Sequence, residues 1–106
     1  MTEFNRVMHE FMTALTEVFP ESNELQSSLE AFDDLVRVNY RKPKEMFIET
    51  ICPYAKGVFE RDERVFDVLH FPGFDFKKYW NEDISVGTKN AIWSYLHELI
   101  RLCECT

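Results

Sequence analysis

Glycine, proline and cysteine are all scarce in this sequence, and so are long apolar runs. The 106 residues include only 3 Gly, 4 Pro and 3 Cys. So few glycines cannot build a loop that cradles phosphates, and no nucleophile elbow, Walker loop or dinucleotide-binding fingerprint occurs. No apolar stretch reaches the roughly 18 residues that a membrane-spanning helix needs. The sequence therefore predicts no enzyme, no cofactor, no small-molecule substrate and no membrane partner.

Positive charge is also in short supply. The chain has 12 Lys and Arg residues against 19 Asp and Glu, which gives a formal net charge of -7. A protein whose main role is to grip nucleic-acid backbones usually carries a positive field. This balance predicts an ordinary solvated surface, although it leaves room for a local basic patch.

The cysteines form no paired motif. Cys52, Cys103 and Cys105 are odd in number and lack Cys-x-x-Cys spacing, which predicts reduced thiols. The charged opening MTEFNRVMHE does not have the character of a signal peptide. We therefore expect a soluble, intracellular protein.

Two metal sites can be considered from spacing alone, and neither is favoured. Cys103 and Cys105 with His97 could bind zinc, although Cys105 could equally form an intermolecular disulfide. Asp67 and His70 have the acid-x-x-His spacing of metal-binding helices, but a dinuclear site needs a second copy of this motif, and none is present. The sequence thus predicts no metal site.

Apolar periodicity predicts helices along most of the chain. Apolar residues recur every three or four positions in 2–19, 25–36, 47–58 and 92–103. The third pattern crosses Pro53, so we expect a kink or a break between Glu49 and Pro53. No stretch alternates apolar and polar residues as a strand does. The predicted fold is a single all-α domain over residues 1–106, a compact bundle of four main helices with one or two short helices.

Local signals refine this prediction. Asp62 is expected to cap a short helix, Asp75 to start one further turn, and either Ser85 or Thr88 to cap the final helix. The residues assigned to the core are Phe11, Phe32, Phe47, Phe66, Trp93 and Leu96.

Aromatic residues are abundant, with 10 Phe, 4 Tyr and 2 Trp. Five of them crowd into residues 71–80, around a Pro-Gly turn: Phe71, Phe74, Phe76, Tyr79 and Trp80, here called the aromatic segment. If these rings are exposed, they form an apolar patch of the kind that binds a partner. Alternatively, they fold back as a lid over one end of the bundle.

A basic stretch occupies residues 37–44. It holds four of the 12 cationic side chains, and its candidate contact residues are Arg37, Tyr40, Arg41, Lys42 and Lys44. Such a mixture can contact a phosphate, an RNA base or an acidic protein surface. The structural alternative is that Arg37 and Arg41 oppose the dipole at a helix C-terminus.

The sequence resembles small helical proteins of large double-stranded DNA viruses of algae and protists. The residues that carry the resemblance are Trp80, Ile84-Ser85, Thr88-Lys89-x-x-Ile92-Trp93-x-Tyr95-Leu96-x-x-Leu99, the stretch from Phe11 to Pro20 and the stretch from Arg61 to Phe66. The resemblance implies a viral origin, with the host cytoplasm or nucleus, or the virion, as the location. It supplies no catalytic residues.

Taken together, these features predict a non-enzymatic protein-interaction or assembly protein. Its partner would be another protein or a second copy, bound through the aromatic segment. The alternative prediction is a nucleic-acid accessory factor that uses residues 37–44.

Overall fold

The described chain is built from helices joined by short turns. The computed structural model describes residues 2–68, 76–80 and 84–103. Within these ranges the elements are α1 (Glu3–Val18), α2 (Asn23–Val38), α3 (Lys42–Thr50), α4 (Ala55–Phe59), α5 (Phe76–Tyr79) and α6 (Val86–Leu102), with 3-10 turns at Cys52–Tyr54 and Glu63–Asp67 and no strand. The predicted all-α fold is confirmed.

Hydroxyl side chains cap the three long helices. The Oγ1 of Thr2 accepts a hydrogen bond from the backbone N–H of Asn5 at 3.2 Å, and Ser22 caps α2 in the same way. The Oγ of Ser85 accepts from the N–H of Thr88 at 3.1 Å. Each cap satisfies one of the N–H groups that a helix leaves unpaired in its first turn. Of the two candidate caps for the last helix, the structure uses Ser85.

The core lies where α6 meets α1, and α2, α3 and α4 close around this pair. The buried face of α6 is apolar, and that of α1 is apolar apart from the buried Asn5, largely as the periodicity predicts. The six residues that the sequence assigns to the core are all buried. The same cluster also contains Phe4, Val7, Met8, Leu15, Leu25, Ile51, Val58, Leu99 and Ile100.

Pro53 divides the third helical pattern. α3 ends at Thr50, and Pro53 lies in the 3-10 turn that precedes α4. Proline has no N–H for a helical hydrogen bond, and its ring clashes with the preceding turn. The apolar stripe survives the break for Ile51 and Val58, which are fully buried, whereas Tyr54 is 39% exposed.

α4 ends in a tight backbone reversal. The N–H of Arg61 donates to the carbonyl of Val58 at 3.0 Å, and the N–H of Asp62 donates to that of Gly57 at 2.9 Å. This pair of bonds is a Schellman motif, and Arg61 occupies its left-handed position with φ +54°. Asp62 then caps the following turn, as predicted, so that Val65 folds back onto Gly57.

Candidate interaction surfaces

The structure describes part of the aromatic segment. Phe71 and Phe74 lie outside the described residues. Phe76 and Tyr79 lie in α5, at its two ends. Trp80, which follows α5, is the one member of the segment whose side chain is described.

Trp80 packs against the end of the core and remains half-buried. Its ring stacks on Phe66, with centroids 4.3 Å apart, and meets Trp93 edge to face at 5.2 Å. The indole Nε1–H donates to Glu63 Oε1 at 3.1 Å. Offset-stacked and edge-to-face arrangements are the favoured geometries for aromatic pairs. For this ring, the structure therefore shows contact with the bundle, as a lid would make.

A cation borders the same ring. The Nζ of Lys89 lies 5.5 Å from the Trp80 ring centroid and 4.0 Å from Glu63 Oε1. Glu63 and Lys89 thus hold the indole at its polar edge and at its face.

The basic stretch spans the link between α2 and α3. Arg37 lies in the last turn of α2, where it opposes the helix dipole as expected, and its guanidinium is 3.5 Å from Asp34. Arg41 and Lys42 instead stand at the start of α3, where the dipole disfavours a cation. The structural explanation from sequence therefore fits Arg37 and is wrong for Arg41.

Hydrogen bonds hold the link between α2 and α3 in place. The Oδ1 of Asn39 accepts from the N–H of Arg41 at 3.2 Å, and the buried Asn5 donates from Nδ2 to the carbonyl of Tyr40 at 2.8 Å. The Arg41 guanidinium lies 5.5 Å from the Tyr40 ring centroid, and its Nε–H donates to the Tyr40 hydroxyl at 3.2 Å. Tyr40 is nevertheless 50% exposed.

A cavity of about 530 Å³ opens beside this link, and we call it the corner cavity. None of the ion pairs in the described ranges involves Arg41, Lys42 or Lys44. The described residues that line the corner cavity are Thr2, Glu3, Phe4, Tyr40, Arg41, Lys44, Glu45, Ile48 and Leu102. Tyr40, Arg41 and Lys44 were predicted from sequence. The lining residues from the start of α1 and the end of α6 were not predicted, because only folding brings these two parts of the chain together.

A second depression, of about 290 Å³, lies between α1 and α6. No charged side chain occurs among its described lining residues. Small residues contribute to its lining, namely Ala14 of α1 and Gly87 and Ala91 of α6. Sequence reasoning missed this groove, although the spacing of Gly87 and Ala91 by four residues was a usable signal.

The candidate metal ligands are engaged elsewhere or lie outside the described residues. In residues 2–68, 76–80 and 84–103, no group of three His, Cys, Asp or Glu side chains is placed to hold a metal ion. His97 donates from Nε2 to the carbonyl of Val58 at 2.7 Å, which fastens α4 to α6. His70 and Cys105 lie outside the described residues.

The thiols differ from one another. Cys103 is free and buried, and burial raises its pKa to about 11, an effect that the nearby Lys44 ammonium partly offsets. Cys52 is disulfide-bonded, so the prediction of reduced thiols is wrong for this residue. Spacing along the chain does not reveal which sulfurs meet after folding.

No family model, curated protein or solved structure matches the chain. Among the described residues, no helix has the length and apolar character required to cross a membrane.

Proposed function

We propose that this protein is a non-enzymatic helical interaction or assembly protein, which binds a protein partner or a second copy of itself through the aromatic segment. The observation that supports the proposal is the setting of Trp80. Its ring is held by Phe66, Trp93 and Glu63 and is only partly buried. A rigid tryptophan loses little conformational freedom on binding, and tryptophan is enriched among the residues that dominate binding energy.

The test changes two residues of the aromatic segment other than Trp80. Light scattering over a dilution series would compare the wild-type protein with a Phe71→Ser/Phe74→Ser variant. The matched control is Val38→Ser, because Val38 is 85% exposed and lies at the far end of α2. We expect the wild type and the control to self-associate, or to bind the same cross-linked partner, and the double variant to remain a folded monomer.

Two results would contradict this proposal. One is a wild-type mass equal to a single chain with no partner recovered by the aromatic segment. The other is unchanged association in the double variant while its helical circular dichroism stays intact. Circular dichroism also separates lost association from lost folding, since the buried core dominates stability.

The second candidate function is that of a nucleic-acid accessory factor. Its support is that Arg41 and Lys42 are exposed cations without ion-pair partners in the described ranges, and that Tyr40 offers an accessible ring beside them. Fluorescence anisotropy with a single-stranded RNA should then show affinity that falls steeply with salt. An Arg41→Gln/Lys42→Gln variant should lose this binding, whereas Lys56→Gln/Arg101→Gln should retain it. Equal RNA binding by the two variants would contradict this candidate function.

Viral origin and intracellular location belong to the same proposal. The origin is supported by the resemblance described above. The Cys52 disulfide argues in the other direction for location, because disulfides persist mainly in oxidising compartments. Mass spectrometry of alkylated protein, isolated from the cell that makes it, would settle the redox state of Cys52. A fully oxidised Cys52 in that sample would contradict the intracellular location.

A further inference from the structure

The corner cavity has apolar walls that border the core. Phe4 forms its inner wall and is only 2% exposed, whereas Ile48 is 38% exposed on the outer face of α3. Leu102 closes the side formed by α6 and is partly buried. A volume of about 530 Å³ lies within the range of about 300–1,000 Å³ that is usual for small-molecule sites. The walls therefore suit an apolar body of small-molecule size.

The edge of the corner cavity carries positive charge. Arg41 and Lys44 have no carboxylate partner in the described ranges, although the chain as a whole is acidic. Glu3 also lines the cavity, but Arg6 binds its carboxylate, with Nε 3.1 Å from Oε2, and this hydrogen bond holds the pKa of Glu3 below its usual value. Glu45 is the remaining anion of the lining. Arg41 and Lys44 against Glu45 leave one positive charge, which a ligand with one negative group would compensate.

The link that presents these cations is fixed before any ligand binds. Asn5 donates to the carbonyl of Tyr40, and the Arg41 guanidinium lies over the Tyr40 ring. The Tyr40 backbone and the Arg41 side chain are therefore already ordered before a ligand binds. Preorganisation of this kind lowers the entropy cost of binding.

We propose that the corner cavity binds one soluble amphiphile that has an apolar body and a single carboxylate or phosphate head group. The body lies against Phe4, Ile48 and Leu102, and the head group meets Arg41 and Lys44. This inference does not depend on the aromatic segment. It shares Arg41 with the second candidate function, and the experiment separates the two.

The test is calorimetric titration of the full chain with decanoate and with decyl phosphate, each below its critical micelle concentration. Decanol and inorganic phosphate serve as probes that carry only the body or only the head group. We expect decanoate and decyl phosphate to bind at one site per chain, whichever of the two binds more tightly. Decanol and inorganic phosphate should each bind about tenfold or more weakly than these amphiphiles.

Variants locate the site. Arg41→Gln and Lys44→Gln should each weaken decanoate binding about tenfold, and Ile48→Asn should weaken it while leaving the head-group contacts in place. Lys56→Gln is the matched control, because Lys56 is an exposed cation away from the corner cavity, and it should bind as the wild type does.

Several results would overturn the proposal. Decanoate binding that is absent, or equal in Arg41→Gln and Lys56→Gln, removes the site. Inorganic phosphate that binds as tightly as decyl phosphate shows a simple anion site with no role for the apolar walls. Binding to anionic lipid vesicles without binding to monomeric decanoate points to a membrane surface instead. Single-stranded RNA that binds through Arg41 while decanoate does not would favour the second candidate function over this one.

Discussion

Substitution of Gly57 by alanine tests the packing between α4 and the turn at Glu63–Asp67. A Cβ at this position would overlap the Cγ1 methyl of Val65, which is itself buried at 7% exposure. In an unhindered helix, Gly→Ala stabilises by about 1 kcal/mol. Overpacking a core contact costs about 1–3 kcal/mol. We therefore expect Gly57→Ala to lower the free energy of unfolding by up to about 2 kcal/mol.

The matched control is Gly87→Ala in α6. There, an added Cβ has only Ser85 Oγ nearby, at an ordinary 3.8 Å. This variant should raise the free energy of unfolding by up to about 1 kcal/mol, because the unfolded chain loses freedom and no contact is strained. Urea unfolding followed by circular dichroism measures both changes.

A double-mutant cycle separates the overlap from other effects. Val65→Ala alone removes buried methyl groups and should cost about 1–3 kcal/mol. In the Gly57→Ala/Val65→Ala variant the new Cβ occupies space that Val65 has vacated, so the double variant should be at least 1 kcal/mol more stable than additivity predicts, roughly the range of coupling seen between residues in contact. Additive costs, or a stabilising Gly57→Ala, would refute the close contact between these residues.

Three further predictions concern the backbone, the link and the buried thiol. Arg61→Gly should raise the melting temperature, because the left-handed conformation costs a non-glycine residue about 1–2 kcal/mol. This cost exceeds the contribution of the exposed hydrogen bond from Arg61 to Asn90, which the variant loses. A lower melting temperature would contradict this reasoning. Asn5→Ala should cost about 1–3 kcal/mol in urea unfolding, because the carbonyl of Tyr40 loses its donor, and a neutral result would exclude that role. Folding raises the pKa of Cys103, so between about pH 9 and pH 11 the folded state retains a proton that the unfolded state releases. The contribution of this thiol to the free energy of unfolding is therefore fully present below about pH 9 and is lost as the pH rises to about 11. Cys103→Ala should remove this part of the alkaline decline, and an unchanged pH profile would show that the thiol is not the cause.

The helices were predictable because their signals are local. Periodicity, hydroxyl caps and the missing N–H of Pro53 act within one or two turns of the chain, and they placed α1, the break after α3 and the start of α6. Tyr54 belongs to the apolar pattern of residues 47–58 but is exposed, because the 3-10 turn interrupts the helix there, and the geometry of that turn does not follow from the pattern.

The surfaces were only partly predictable because they join distant parts of the chain. Trp80 was predicted as a member of the aromatic segment, but its contacts with Phe66, Trp93 and Glu63 depend on how distant parts of the chain pack. The basic stretch was visible in the sequence. Its position beside Leu102 of α6 was not visible, because no local sequence pattern connects these residues.

The position of the cations at the start of α3 is not explained by folding stability. Lys42→Glu should stabilise the protein by about 0.3–1 kcal/mol, since an anion suits a helix N-terminus and Lys42 has no ion pair to lose among the described residues. Arg41→Glu should be nearly neutral, because the same gain offsets the lost contact with Tyr40. Calorimetry should then show decanoate binding retained in Lys42→Glu and lost in Arg41→Glu at similar stability. A strongly destabilised Arg41→Glu would mean that the cation serves the fold, and unchanged decanoate binding in Arg41→Glu would remove Arg41 from the site.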